Sequence, residues 1–446
     1  MSVLLKGGQV LDFEKGQFVQ KDILLNGNKI LAVATNLQTG SEIIDCSGKW
    51  IIPGLIDMHV HIKMGFAPLF TAAGVTTVRN MAGSLYELHN MIEAPSDAPT
   101  PRIISTDRLI DGSKSLWGET GPFNLSTDDE RKVIEEVRRQ VKEGASFIKV
   151  YNKLMPETMR AAVEEAKLHH KEVSCDLIHS TQVNAVDAAD MGIDWNEHAS
   201  GFIQAMYPQW STQAEANVWN EIPWDEPDED SIIEICRHLI KKGVKLCPTI
   251  AFYDQARLLE NYWKITHPVI DKAFENQGLI GQWQMFLQHS AGLELLGRQH
   301  KIIKKIAYLY HQAGGTVVTG TDTPAGIFTF PGMALHRELE LFVESGFTEI
   351  EALSAATINA AKALQRIDLG NIIVGNMADL AILENNPLVD IKHTRKISLV
   401  VKGGKAFTPK DLLNAVPSDE EVERFLEKLL QHFEEVGLLP KNQQMY

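Results

Sequence analysis

The sequence GLIDMHVH, at residues 54–61, decides how the rest of the chain is interpreted. It follows the apolar residues 50–52 and Pro53, so it predicts a short strand that ends in two histidines. Side chains alternate along a strand, and His59 and His61 therefore point to the same side. Two neutral imidazoles that converge on one point are what a divalent metal such as zinc requires. The stretch predicts a metal site at the end of a buried strand.

From this stretch to about residue 365, strand patterns alternate with amphipathic helix patterns. The predicted strands, counted here as strands 1 to 8, are residues 56–60, 76–79, 102–105, 147–150, 173–177, 195–197, 245–249 and 316–320. Eight strands that alternate with helices are typical of a (β/α)8 TIM barrel, an α/β fold. Catalytic groups in that fold lie at the carboxyl ends of the strands, where His59 and His61 fall.

Both ends of the chain carry further short strands. They are predicted at residues 3–5, 9–11, 22–25, 29–33 and 42–45, and again at 370–374, 378–382, 397–401 and 405–406. Gly7-Gly8, Asn26-Gly27 and Ser47-Gly48 separate the early ones as turns. We expect residues 1–52 and 369–410 to form one small β-sandwich domain beside a barrel domain of residues 53–368.

Two regions lie outside this scheme. Residues 251–300 are longer than a barrel connection needs, and they form either a cover over the mouth or an extra helical pair packed on the barrel. Residues 411–446 predict a helical tail that opens with the capping box Ser418-x-x-Glu421. Its apolar stripe suits a core contact or a subunit contact, so a homo-oligomer is compatible with the sequence.

Strands 4 and 5 add candidate site residues. Lys149 lies within an apolar strand, where an ammonium is costly to bury, so it either extends to the surface or is carbamylated by carbon dioxide into a metal-bridging anion. Strand 5 offers both Asp176 and His179. We favour His179, because a neutral imidazole suits zinc and Ser180-Thr181 directly after it would cap the next helix.

Strands 6 and 8 complete the predicted set. His198 ends strand 6, and Asp322 ends strand 8 beside a glycine and a proline. Asp322 in such a place would hold a metal and take the proton from a metal-bound water. Tyr151, two residues beyond Lys149, and His336, shortly after strand 8, are candidate substrate-binding residues.

Composition limits the classes of partner. The chain has 446 residues and a formal net charge of −15, so its overall field repels phosphates and predicts no nucleic-acid partner. We expect no membrane partner either, because no apolar run reaches the ~18 residues of a membrane helix. The amino terminus does not resemble a signal peptide, and four dispersed cysteines without a C-x-x-C pair predict reduced thiols in a cytoplasmic protein.

The assembled pattern resembles the amidohydrolase superfamily, and most closely its branch of imidazolonepropionase-like and prolidase-like enzymes. The motifs that carry the resemblance are residues 54–61, 73–79, 147–151, 197–198, 320–322, 355–361, 375–380 and 386–388. The resemblance implies a distorted barrel with a flanking β-sandwich and one or two zinc ions, with two the better expectation.

In that resemblance, His59, His61 and Asp322 would hold the more buried metal, and His179 and His198 the more exposed one. A carboxylated Lys149 would bridge them with a hydroxide. The implied reaction is hydrolysis of a C–N amide-type bond by the metal-bound hydroxide, with Asp322 as general base. The small-molecule substrate would be an N-acyl amino acid, a dipeptide, a carbamate or a cyclic amide.

Two other functions compete with this one. A mononuclear deaminase of the same fold would keep Lys149 unmodified and would place a general-acid glutamate after strand 5, for which no H-x-x-E motif is present. A barrel that serves only as a binding or assembly protein would lack ligands, whereas nearly all ligand positions are filled. The metal content per chain distinguishes the three.

Overall fold

The computed structural model describes residues 2–38, 42–288 and 290–439. Its strands are β1 (Ser2–Asp12), β2 (Gln17–Asn26), β3 (Lys29–Ala34), β4 (Glu42–Asp45), β5 (Trp50–Pro53), β6 (Leu55–Val60), β7 (Val75–Asn80), β8 (Arg102–Ser105), β9 (Leu109–Asp111), β10 (Asn124–Ser126), β11 (Ile148–Val150), β12 (Val173–Cys175), β13 (Trp195–Glu197), β14 (Lys245–Cys247), β15 (Leu380–Leu383), β16 (Ile397–Lys402) and β17 (Lys405–Phe407).

The helices lie mainly between the barrel strands and after the last of them. They are α1 (Ala67–Ala72), α2 (Leu85–Ile92), α3 (Glu130–Lys142), α4 (Pro156–Leu168), α5 (Ala185–Met191), α6 (Phe202–Met206), α7 (Ala216–Glu221), α8 (Glu229–Lys241), α9 (Ile250–Leu258), α10 (Pro268–Phe274), α11 (Gln277–Leu287), α12 (Ser290–Arg298), α13 (His300–Gln312), α14 (Met333–Ser345), α15 (Glu349–Ala355), α16 (Ile358–Ala363), α17 (Pro409–Asn414) and α18 (Asp419–Glu435). Short 3-10 turns occur at Met64–Phe66, Leu259–Asn261 and Ile391–Arg395.

The barrel is confirmed, with parallel strands in the predicted order. β6, β7 and β8 pair in sequence, and β11, β12, β13 and β14 form a second run. The Ser146 amide donates to the Ser105 carbonyl over 2.8 Å and joins the two runs. Residues 316–319 form the eighth segment, which bonds through backbone groups to Leu246 on one side and to Met58 on the other. This segment closes the barrel although it makes only isolated bridges.

The strands from the two chain ends join in one hydrogen-bonded sheet of eight strands. β5 is its junction, because it pairs parallel with β1 and antiparallel with β15. A separate apolar core, which includes Ile23, Ile51 and Leu380, lies within this part of the molecule. The expected domain at the chain ends is therefore present, while the residue boundaries between domains stay a prediction.

Three local expectations are wrong for identifiable reasons. Gly7-Gly8 does not separate two strands, because the chain continues through them as β1 with a register shift and Gly7 at φ +75°. Residues 370–374 make no strand, since this stretch turns at Gly370 (φ +71°). Ser180-Thr181 do not cap the following helix, because α5 starts only at Ala185 with Asn184 as its cap.

The long connection after strand 7 consists of helices α9 to α12. Trp283 of α11 is fully buried, and its indole Nε1 donates to the carbonyl of Pro324 over 3.2 Å. Pro324 lies two residues after Asp322, so this connection packs on the loop at the carboxyl end of strand 8. Within the described residues, no helix combines the length and apolar character needed to cross a bilayer.

Candidate metal centre

His59, His61 and Asp322 meet at the carboxyl end of the barrel. His59 Nε2 lies 3.3 Å and His61 Nε2 3.0 Å from the same oxygen, Oδ1 of Asp322. Asp322 has a left-handed backbone at φ +57°, and its amide donates to the His59 carbonyl over 2.8 Å. A non-glycine residue in that conformation is held there by its surroundings and is frequent at functional sites.

His198 approaches the same point from the end of β13, the sixth barrel strand. Its ring centroid lies 4.4 Å from that of His59, and ligand atoms of His59, His198 and Asp322 all lie within 4.8 Å of one another. The Nδ1 of His198 bonds to Thr249 Oγ1 over 2.7 Å, which leaves Nε2 directed at Asp176 Oδ2, 3.2 Å away. Three imidazoles (His59, His61 and His198) and two carboxylates (Asp322 and Asp176) are thus linked by short contacts at one place.

The structure places Asp176, and not His179, next to His198. β12 ends at Cys175, so Asp176 is the first residue beyond the strand, and it is only 3% exposed. Burial opposes its ionisation, but His198 outweighs burial and lowers the pKa of Asp176 to about 2. His179 lies in the following turn, half-buried, with its Nδ1 bonded to Thr212 Oγ1 over 2.7 Å.

Lys149 reaches the same volume from strand 4. It is 2% exposed, and its Nζ has no hydrogen-bond partner among the described residues. Its charge contributes to lowering the pKa of Asp176 and of Glu197. A buried ammonium without a hydrogen bond is costly, so this atom calls for a ligand or a covalent change.

The electrostatics fit a site for a cation. Burial opposes the ionisation of Asp322, but its contacts with the His59 and His61 rings and the charge of His198 outweigh burial and hold the pKa of Asp322 well below its usual range. Burial and the neighbouring His198 lower the pKa of His59, so its imidazole is neutral. The pKa of His198 is raised despite burial, because Asp176 faces it.

The residues that orient the His59 ring were not predicted from the sequence. Its Nδ1 lies 2.7 Å from Oε2 of Glu197, whose other oxygen accepts hydrogen bonds from Arg79 (2.8 Å) and Ser174 (2.6 Å). Arg79 is itself 1% exposed and lies between the rings of Phe147 and Trp195. The signal was available, because Arg79 and Glu197 are charged residues within predicted barrel strands, as Lys149 is.

Asp57 and Cys247 are buried nearby but are weaker ligand candidates. Burial raises the pKa of Asp57 to about 7, and its oxygens accept hydrogen bonds from the amide and the hydroxyl of Thr321. Cys247 lies close to His59 and Glu197. Burial raises its thiol pKa well above the usual value, which disfavours the thiolate that a metal binds.

The two predicted substrate-binding residues fall in different places. Tyr151 lies within electrostatic reach of the centre, because burial raises the pKa of its phenol and the charges of Asp176 and Asp322 raise it further. The structure does not bring His336 to the centre. Its Nδ1 bonds to Thr394 Oγ1 and its Nε2 to the carbonyl of Ala73, so neither ring nitrogen is free for a substrate.

The family model described as "Amidohydrolase family" matches residues 50–407, and this range contains every residue of the centre. A segment of 64 residues, 14% of this chain, is 44% identical to a dihydroorotase of Pelotomaculum thermopropionicum. That segment spans only 15% of the dihydroorotase.

Solved structures match over nearly the whole chain. A Xaa-Pro dipeptidase with bound methionine has a TM-score of 0.67 at 21% identity, with 91% of this chain and 100% of that chain covered. A bottromycin amidohydrolase has a TM-score of 0.70 at 19% identity, with 94% and 91% covered. At these identities, the likeness shows a shared fold.

Proposed function

The chain belongs to the amidohydrolase family, and from that premise we propose that it is a metal-dependent hydrolase of C–N amide-type bonds. The observation that carries the proposal is the convergence of His59, His61, His198 and Asp322, with a buried and unpartnered Lys149 Nζ close enough for its charge to act on Asp176 and His198. The candidate substrates are N-acyl amino acids, dipeptides, carbamates and cyclic amides.

The donor set fits two divalent ions, with zinc as the expected metal. His59, His61 and Asp322 offer two imidazole nitrogens and a carboxylate, which is a donor set suited to zinc. Asp176 and His198 offer a second pair. We assign the strand 5 position to Asp176 instead of His179, because only Asp176 contacts His198.

Lys149 lies within electrostatic reach of Asp176 and His198, the second donor pair. As a neutral amine it would attack carbon dioxide, form a carbamate on Nζ and release one proton. The product carries one negative charge shared by two oxygens, so an anionic group suited to bind a metal would replace a buried ammonium without a hydrogen bond. A carboxylated Lys149 would then add an anionic ligand to the residues of the two donor sets.

The residues divide the hydrolytic work between them. When bound, the metal lowers the pKa of a coordinated water and polarises the substrate carbonyl. The carboxylate of Asp322 takes the role of general base: it accepts the proton of the attacking water and returns it to the leaving nitrogen as the C–N bond breaks. Glu197 holds the ring of His59, and Tyr151 lines the substrate side.

Metal content and turnover test the proposal together. We expect about two zinc equivalents per chain by elemental analysis, a carbamate carbon signal from protein equilibrated with 13C-bicarbonate, and hydrolysis of at least one of the four substrate classes. One metal with an unmodified lysine and ammonia release would favour a deaminase. A chain without bound metal or turnover in the presence of added zinc would favour a binding protein.

The strand 5 assignment has its own test. Asp176→Asn should lose about one metal equivalent, because the amide is a weaker ligand than the carboxylate, while His179→Gln should retain both. Elemental analysis of the two variants after identical dialysis gives the comparison. Loss of metal in His179→Gln alone would reverse the assignment, and full metal in both would remove strand 5 from the centre.

A further inference from the structure

His179 lies beside the metal centre but takes no part in the contacts within it. The hydrogen bond to Thr212 Oγ1 engages its Nδ1, and its Nε2 has no protein partner among the described residues. The charges of Asp176 and His198 both act on its ring, so it lies within electrostatic reach of the centre. A half-buried imidazole with one free nitrogen at this position is available to a ligand.

Lys153 is anchored on the same residue. Its Nζ donates to the carbonyl oxygen of His179 over 2.7 Å, and the side chain is half-buried. It follows β11 by three residues, so it belongs to the loop at the carboxyl end of strand 4, where a barrel places groups that contact substrate. One carbonyl satisfies one of its three N–H groups, and two remain.

Asn152 supplies a third donor. Its Oδ1 accepts the amide of His179 over 2.7 Å, which fixes the orientation of the side chain. Its Nδ2 has no partner although the residue is only 1% exposed. Buried amide groups are almost always paired, so an unpaired one beside a proposed active site points to a ligand.

The carboxylates near Lys153 and His179 do not prevent an anion from binding there. Asp111 faces Lys153, and its Oδ1 accepts the Lys153 backbone amide over 2.6 Å. Burial raises the pKa of Asp111, which weakens its competition for the ammonium. The other carboxylate near His179 is Asp176, which is engaged with His198.

We infer that Lys153, Asn152 and His179 form a clamp for the carboxylate of the substrate. The inference rests on the proposed hydrolase function and narrows its substrate class. Lys153 and Asn152 both hydrogen-bond to the backbone of His179, so their remaining N–H groups and the His179 ring belong to one small part of the structure, and donors of this kind match an acceptor-only group such as a carboxylate. The net charge of −15 makes the overall field unfavourable to an anion, so a local cation is needed to bind one. The clamp selects N-acyl amino acids or dipeptides with a free carboxylate over carbamates and cyclic amides.

A pair of probes that differ only in this group tests the clamp. N-acetyl-L-leucine carries the carboxylate, and N-acetyl-L-leucinamide replaces it with a neutral amide. The wild-type, metal-loaded protein should bind the acid more tightly in calorimetric titration. Lys153→Met should reduce affinity for the acid by about 10- to 100-fold, the range for losing a charge-assisted hydrogen bond, and should abolish the preference. His179→Gln should weaken acid binding in the same direction.

Matched variants separate the clamp from general effects. Lys142→Met on α3 makes the same charge change at an exposed position, and His170→Gln replaces an exposed histidine. Both should keep the wild-type preference. Metal content and circular dichroism of the clamp variants establish that the centre and the fold are intact. If Lys153→Met fails to fold, Lys153→Gln, which keeps a donor but loses the charge, takes its place.

The outcomes distinguish failure of the clamp from failure of the proposed function. An acid preference that depends on Lys153 supports the clamp whether or not any substrate is hydrolysed, because binding is the measurement. No preference in the wild type, or an unchanged preference in both Lys153 variants, overturns it. Where an N-acyl amino acid is hydrolysed, the Lys153 variants should raise KM for the acid far more than they lower kcat.

Discussion

The orientation of His59 depends on a carboxylate from another strand. Glu197 accepts from Nδ1 of the neutral ring, so Nε2 keeps its lone pair and faces Asp322. Carboxylate–histidine–metal arrangements of this kind fix the tautomer and raise the basicity of the ligand. The cost is a fully buried glutamate, which Arg79 offsets by an ion pair of 2.8 Å. Burial opposes ionisation, yet Arg79 and His59 hold the pKa of Glu197 well below its usual value.

We therefore predict that Glu197→Gln weakens the centre without removing a metal ligand. The neutral amide binds the His59 Nδ1–H less strongly, and metal affinity or kcat should fall by about 10- to 100-fold. Dialysis against graded chelator, followed by elemental analysis, measures the affinity. Glu164→Gln on the exposed side of α4 is the control. Unchanged metal affinity and kcat in a folded Glu197→Gln protein would contradict the role given to Glu197.

At this scale the sequence predicted most of the centre but not its strand 5 member. His59 and Lys149 lie within β6 and β11, and His61, His198 and Asp322 follow barrel strands, at positions that the alternation of strands and helices in the sequence predicts. Strand 5 was predicted to run to residue 177, whereas β12 ends at Cys175. Backbone pairing with the neighbouring strands sets that end, and pairing is not visible in a single sequence. A difference of two residues moves Asp176 from the strand interior to its end.

Among the helices, α18 packs near the loop that follows His61. Phe433 is 1% exposed and packs edge-on against Phe123 at 5.7 Å between ring centroids. Lys63, two residues after His61, lies over the Phe123 ring, with its Nζ 4.9 Å from the ring centroid. The tail helix is thus linked through two side chains to the loop that follows the histidine pair.

Phe433→Ala should therefore loosen that loop. Removing the buried ring costs about 3–5 kcal/mol of local packing, and hydrogen exchange of residues 62–66 should become faster. Mass spectrometry of exchanged peptides gives the measurement. Leu426 on the same helix is 41% exposed, so Leu426→Ala should leave the exchange rate of these peptides unchanged. Equal protection in the two variants would show that α18 does not hold the loop.

Helix α3 is fixed to the chain before β9 by a buried charge cluster. Glu136 bonds to Arg108 through both oxygens, at 2.8 and 2.6 Å, and to Arg139. Burial opposes its ionisation, but the two guanidinium groups hold the pKa of Glu136 at about 2. A depressed folded-state pKa stabilises the protein above the unfolded value and ceases to do so as the pH falls through the folded value.

Glu136→Gln should accordingly lower stability by about 3 kcal/mol at pH 7, with a difference that shrinks as the pH falls below about 4.5. Chemical denaturation followed by circular dichroism between pH 2.5 and pH 7 measures the trend. The exposed neighbour Glu135→Gln provides the control for a lost negative charge on α3. A destabilisation that stays constant across this pH range would mean that packing, and not ionisation, carries the contribution of Glu136.

At the scale of the whole molecule, the chain-end sheet and the barrel share one continuous piece of chain. β5 of the sheet leads through Gly54 directly into β6, which carries His59. A Cβ at Gly54 would lie 2.2 Å from Thr76 Oγ1, so only glycine permits the close approach of β7 at this junction. The sequence predicted a domain built from both ends. It did not reveal that β5 pairs with both end segments, because such pairing depends on residues some 330 positions apart.

This continuity predicts that the two parts unfold together. Ile51 of β5 is fully buried in the core of the chain-end sheet, and Ile51→Ala should lower the free energy of unfolding by about 2–5 kcal/mol. Because β5 continues into the barrel, we expect a single calorimetric transition at a reduced temperature, with near-ultraviolet dichroism of the barrel tryptophans lost at the same point. Ile43 of β4 is 55% exposed, so Ile43→Ala should leave the transition temperature unchanged. Two separated transitions in Ile51→Ala, with the barrel signal at its original temperature, would show that the sheet is an independent unit and that His59 does not depend on it.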